Sequence, residues 1–105
     1  MVRRTHIVSQ IRQALRQVAP KAQAILYGSE ARGDARLDSD IDLLVLVDSD
    51  KLSIQEEEQI IAPLYDIELE TGVSINARVL QKGKWEKQSL LTPFRINVLN
   101  EGVML

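Results

Sequence analysis

The segment Ile41-Asp42-Leu43-Leu44-Val45-Leu46-Val47 is a nearly continuous apolar run, and it constrains the fold more than any other stretch of the chain. A strand that sends apolar side chains to both sides must be covered on both faces, so the rest of the sequence has to supply a layer above the sheet and another below it. The run also contains a carboxylate, Asp42. Burying that charge is costly unless a cation or hydrogen bonds compensate it.

The covering elements are legible as periodic segments. From about Thr5 to Ala19, Ile7, Ile11, Leu15 and Val18 fall on one face with Arg and Gln opposite, the pattern of a surface helix ended near Pro20. Ala24-Ile25-Leu26-Tyr27 is a short apolar run that stops at Gly28-Ser29, a buried strand followed by a tight turn. After the central strand, Ser53-Ile54-Gln55-Glu56 matches a helix-opening capping box. The helix it opens carries Ile60, Ile61, Leu64, Ile67 and Leu69, with a kink or break expected at Pro63 because proline lacks the backbone donor. Val73 to Val79 alternates as a half-buried strand beyond Gly72. Thr92-Pro93 reads as an N-cap with proline at the first helical position, opening a last helix that runs to about Asn100, before Gly102. Helices alternating with strands predict a small α/β or α+β layer fold, a mixed sheet of three to four strands flanked by helices.

With 105 residues, 45% of them hydrophobic, the chain fits one domain spanning 1–105 and one small site. Fifteen acidic against 13 basic residues give a net charge of −2, which makes no electrostatic case for a nucleic-acid or membrane partner. The absence of cysteine excludes a disulfide framework, a thiolate nucleophile and a Cys-based zinc site, and the lone His6 cannot build a histidine metal site. No apolar run is long enough for a signal peptide or a transmembrane helix, so the expected location is the cytoplasm.

Asp40 and Asp42 stand two apart at the start of the central strand, and the two-residue period of a strand puts both side chains on one face. Two carboxylates so placed repel each other as well as paying for burial, and a divalent cation relieves both costs. Mg²⁺ suits them because it takes hard oxygen ligands, commonly one or two carboxylates plus phosphate oxygens and water. Gly28-Ser29 follows the preceding strand, where glycine lets the backbone approach a ligand and a helical turn would aim N–H groups and a hydroxyl at phosphate. If the two strands pair, the ten residues between Ser29 and Asp40 return the chain to the same end of the sheet, with a triphosphate between Ser29 and the metal. Taken singly, a Gly-Ser turn is weak and an Asp-x-Asp pair is a solvated turn at least as often as a metal site. In this order and spacing they reinforce each other.

The stretch from Gly28 to Leu43, Gly-Ser, ten residues, Asp-x-Asp, resembles the signature of the DNA polymerase β-like nucleotidyltransferase superfamily. It is most similar to the minimal nucleotidyltransferases (MNT) of bacteria and archaea, many of them antitoxins encoded beside a HEPN-domain toxin. The resemblance implies the polymerase β-like fold, with Gly28 and Ser29 holding the phosphates, Ser39 assisting as a hydrogen-bond donor, and Asp40 and Asp42 binding Mg²⁺ as the catalytic residues. It further implies in-line attack on the α-phosphate of a nucleoside triphosphate, expected to be ATP, with AMP passing to a hydroxyl of a HEPN-type protein partner in a toxin–antitoxin system. A homo-oligomer is compatible with so small an open-faced domain. Transfer to a small molecule such as an aminoglycoside ranks low, because resembling families achieve it with an added helical domain.

Active members of the superfamily add a third carboxylate from a later strand. The strand in question, Val73 to Val79, offers Ser74, Asn76 and Arg78 on its polar face and no acid. Asn76 can supply a neutral ligand but is a poor base. The missing acid motivates a second reading, a degenerate member that restrains its partner by contact alone. Asp66, Glu68 and Glu70 are expected on a solvated helix surface, Asp34 and Asp38 in turn chemistry, and Glu56 to Glu58 as complement to the helix dipole. Arg32 and Arg36 are weighed between phosphate contacts and pairing with Asp34 or Glu30. Tyr27 and Tyr65 are expected in the core, as are Trp85, Leu90, Leu91 and Phe94.

Overall fold

The computed structural model describes residues 4–88 and 91–105. The first helix, α1 (Thr5–Val18), buries Ile7, Ile11 and Leu15 as its periodicity requires, and ends with Ala19 as C-cap. Val18, expected on the same face, lies exposed at the helix end. Strand β1 (Gln23–Tyr27) runs directly into a one-turn helix, α2 (Gly28–Arg32), closed by Gly33 in the left-handed region at φ 83°. The central strand β2 (Ile41–Val47) is followed by the long helix α3 (Ile54–Thr71), then strand β3 (Ile75–Gln81), helix α4 (Lys82–Lys87), helix α5 (Pro93–Glu101) and strand β4 (Val103–Met104).

The four strands form one mixed sheet in the order β3-β2-β1-β4. β1 lies antiparallel to β2 and to β4, whereas β2 and β3 are parallel. A parallel pair needs a crossover, and α3 provides it. Its N-terminus forms as expected: the Ser53 hydroxyl accepts from the Glu56 backbone N–H at 3.1 Å. Gly72 closes it with φ 73° and donates to the Glu68 carbonyl. Pro63 does not break the helix, which is continuous from Ile54 to Thr71. Packing of Ile60, Leu64 and Ile67 on either side of Pro63 outweighs one lost backbone bond.

The continuous apolar character of β2 has the consequence expected of it. Ile41, Leu43 and Val45 face one side, where they meet Ile7, Ile11 and Leu15 of α1 and Ile60, Leu64 and Ile67 of α3. Leu44 and Leu46 face the other, where Tyr27, Trp85 and Val98 cover them with help from Ile25, Leu80 and Phe94. Ile41, Leu43, Leu44 and Val45 are fully buried, so truncating any of them to alanine costs about 2–5 kcal/mol. The smaller cover draws on α4 through Trp85 and on α5 through Phe94 and Val98, while β4 only extends the sheet edge beside β1; periodicity alone indicated neither α4 nor β4. Tyr65 and Leu69, expected to pack, are instead 56% and 67% exposed, because they lie on the outer face of α3. Leu91 is exposed too, and Leu90 lies outside the described residues.

One polar pair is buried with the apolar side chains. Arg4 donates through its backbone N–H and its Nε to the two carboxylate oxygens of Glu30, each at 2.9 Å, and thereby ties the start of α1 to α2. No described helix is long and apolar enough to cross a membrane.

Candidate active site

Antiparallel pairing of β1 with β2 sets Tyr27 opposite Asp42, and parallel pairing of β2 with β3 sets Asn76 opposite the same residue. Asp42 therefore sits mid-sheet with a neighbour on each side. Because side chains alternate along a strand, Asp40, Asp42, Leu44 and Leu46 share the face covered by α4 and α5, and Asn76 and Arg78 share it on β3. The covering helices stop short of the Asp40 end, where Asp40 and Asn76 are exposed and Asp42 is half-buried.

Gly28 follows Tyr27 with φ +76°, in the left-handed region that favours glycine. A Cβ at this position would overlap the Asp42 carboxylate and lie 3.2 Å from its Cγ. The turn that opens α2 is thus pressed against the carboxylate, and Ser29 comes next in the turn, its carbonyl accepting from Gly33 and Asp34. The ten-residue connection does return the chain to the same end of the sheet. Ser39 helps it do so: its hydroxyl accepts from the Arg36 backbone N–H at 2.9 Å, and its own N–H donates to the Arg36 carbonyl. Asp40 follows that turn directly.

The carboxyl of Asp42 is held above the usual carboxylate range, first by burial, with the Asp40 charge and more distantly Glu101 pushing the same way. The Asn76 amide, donating to Asp42 Oδ1 at 3.3 Å, and the charge of Arg32 oppose the shift. Tyr27 is also raised, by burial and then by Asp42, with Arg78 pulling it back. Asp42 is therefore a partly desolvated carboxylate with a second carboxylate, Asp40, beside it. Oxygen donors of this kind fit a hard divalent cation such as Mg²⁺. Among the described residues no cluster of three His, Cys, Asp or Glu side chains exists, and Asn76 occupies the position beside Asp42 on the neighbouring strand.

A family profile described as the nucleotidyltransferase domain matches residues 8–105. The chain belongs to that family. Nucleotidyl transfer is the general activity of this nucleotidyltransferase domain, and its mixed sheet flanked by helices is the family's fold. Over 95% of its length the domain is similar to 82% of a Sulfolobus solfataricus protein, a candidate nucleotidyltransferase known from a crystal structure at 1.40 Å resolution, with a TM-score of 0.53 and 16% identity. Identity at that level speaks to the fold alone. No curated protein matches the chain.

The other charged residues resolve mostly toward structure. Arg32 pairs with Asp34 at 3.2 Å and with Glu101 at 2.9 Å, so Glu101 rather than Glu30 is its second partner. Glu68, expected on a solvated helix surface, is partly buried and accepts from the Ile75 backbone N–H, fastening the end of α3 to β3. Two residues near the site were not assigned to it from sequence, Tyr27 and Arg78. The signal was available for both. Tyr27 immediately precedes the Gly-Ser turn, and Arg78 lies one strand period beyond Asn76.

Proposed function

We propose that this domain is a Mg²⁺-dependent nucleotidyltransferase that moves a nucleoside monophosphate, AMP from ATP, to a hydroxyl of a protein partner, with a HEPN-type toxin as that partner and the domain as its antitoxin. The observation that carries the reading is the contact of Gly28 with Asp42, which puts a phosphate-approaching turn beside a carboxylate pair. In this reading Asp40 and Asp42 hold the metal and are the catalytic residues, Gly28 and Ser29 take the phosphates, and Ser39 holds the turn before Asp40 while its O–H stays free to donate. Bound Mg²⁺ would supply charge neutralisation at the phosphate under attack. Gly28 lets the backbone come within reach of the nucleotide where any side chain would collide, and the half-buried Asp42 provides a charge that is costly to leave uncompensated. In this reading residues 1–105 form one domain that works in the cytoplasm, and its small open face is compatible with a homo-oligomer.

Asn76 favours a second reading, a domain that binds nucleotide and restrains its partner by contact, since an amide beside Asp42 cannot take the proton of an attacking hydroxyl. The two readings separate on transfer of label from α-³²P-ATP with Mg²⁺ to a HEPN-type partner, comparing wild type with an Asp40→Asn, Asp42→Asn double variant. Label on the partner that disappears in the variant is the expected result. No label, with partner binding intact in both proteins, would leave contact alone.

A further inference from the structure

We propose that Arg78 binds the nucleotide's phosphates, supplying a cation on the β3 flank of the site opposite the Gly28-Ser29 turn; this rests on the nucleotide reading of that site. Arg78 is two residues beyond Asn76 on the same face of β3 and lies opposite Leu44, one strand period from Asp42, a separation of roughly 7 Å along the strand. Its guanidinium lies 4.3 Å over the ring of Phe94, which packs edge-on against Tyr27 with ring centroids 5.5 Å apart. Stacking restrains a side chain that otherwise has many rotamers, and so lowers the entropy lost when it takes a ligand.

Arg32, which ends α2 after Gly28 and Ser29, is another arginine close to the site. Arg32 is held by two carboxylates, whereas no ion pair among the described residues engages Arg78. Arg78 is exposed, and it borders a groove of about 510 Å³ that it shares with Lys84, Trp85, Thr92 and Phe94. A ligand can therefore reach it. A triphosphate beside two aspartates carries more negative charge than one divalent cation neutralises, and the planar guanidinium fork matches phosphate oxygens.

The test is equilibrium dialysis of MgATP and, separately, adenosine against wild type, Arg78→Gln and Arg78→Lys. Arg78→Gln should raise the Kd for MgATP about tenfold or more, with the Kd for adenosine unchanged and Arg78→Lys intermediate. An MgATP Kd in Arg78→Gln within about twofold of wild type would overturn the assignment. Equal weakening of both ligands would overturn it as well, since that reports loss of the Phe94 packing. Wild-type protein that binds no MgATP would defeat the nucleotide reading itself and this inference with it, an outcome distinct from the first two.

Discussion

Gly28 and Asp42 are in such close contact that the hydrogen of the glycine occupies space no side chain could share with the carboxylate. Gly28→Ala therefore combines two penalties. The left-handed backbone costs an alanine about 1–2 kcal/mol, and the methyl must push Asp42 from its place between Tyr27 and Asn76. Thermal melting should show the first. Transfer activity should fall about 100-fold from the displaced carboxylate, and a variant that keeps activity while losing stability would separate the glycine's backbone role from the site.

Asp42 also gives the domain a pH signature. Burial raises its folded pKa above that of the unfolded chain, so the folded state binds the proton more tightly. The corresponding stabilisation is fully present below the unfolded carboxyl value and is lost as pH rises through the raised folded one. At neutral pH the charged carboxylate consequently burdens the fold. Asp42→Asn should raise the melting temperature at pH 7 while leaving it nearly unchanged at pH 3, and should abolish transfer. Added Mg²⁺ should stabilise the wild type at pH 7 and have no effect on the variant, which differential scanning fluorimetry would show directly.

The buried pair of Arg4 and Glu30 makes a prediction about stability alone. Removing one partner leaves an uncompensated buried charge, so Glu30→Gln should cost about 3–5 kcal/mol. The Arg4 Nη atoms have no partner among the described residues, so Glu30, through Nε, is what compensates the buried cation. Replacing both residues, as Arg4→Met with Glu30→Leu, should recover most of the loss. Urea denaturation of the two single variants and the double variant measures the coupling, and additive losses would mean that the pair is not a unit.

Much of this was legible because β2 is apolar on both faces: it demanded two covering layers, and the Asp-x-Asp pair at its start marked the open end of the sheet. The connection between Ser29 and Asp40 could be read as a return to that end only on the condition that β1 and β2 pair, which they do. Helix α4 and strand β4 could not be read, since Lys82–Lys87 carries one buried apolar residue, Trp85, and β4 pairs only two residues with β1. Short elements such as these are set by the surface they cover rather than by their own periodicity. The partner of Glu30 was also invisible, because Arg4 lies 26 residues away in sequence. At the site, the face shared by Asp42, Asn76 and Arg78 followed from strand alternation once β3 was registered against β2, and a register is what a single sequence does not specify.

Pro63 shows where a strong local rule yields to packing, and it supplies a last prediction. The helix continues through it with Ile60, Leu64 and Ile67 buried on one face. Proline there forgoes one backbone hydrogen bond and crowds the carbonyl four residues earlier. If tertiary burial is what overrides that penalty, Pro63→Ala should restore the bond without disturbing any buried contact and stabilise the domain by about 1–3 kcal/mol. Transfer activity should not change, since α3 lies on the sheet face away from Asp42. The midpoint of urea unfolding measures the gain. No gain, or a loss, would mean that the proline sets a bend on which the packing of α3 against α1 depends.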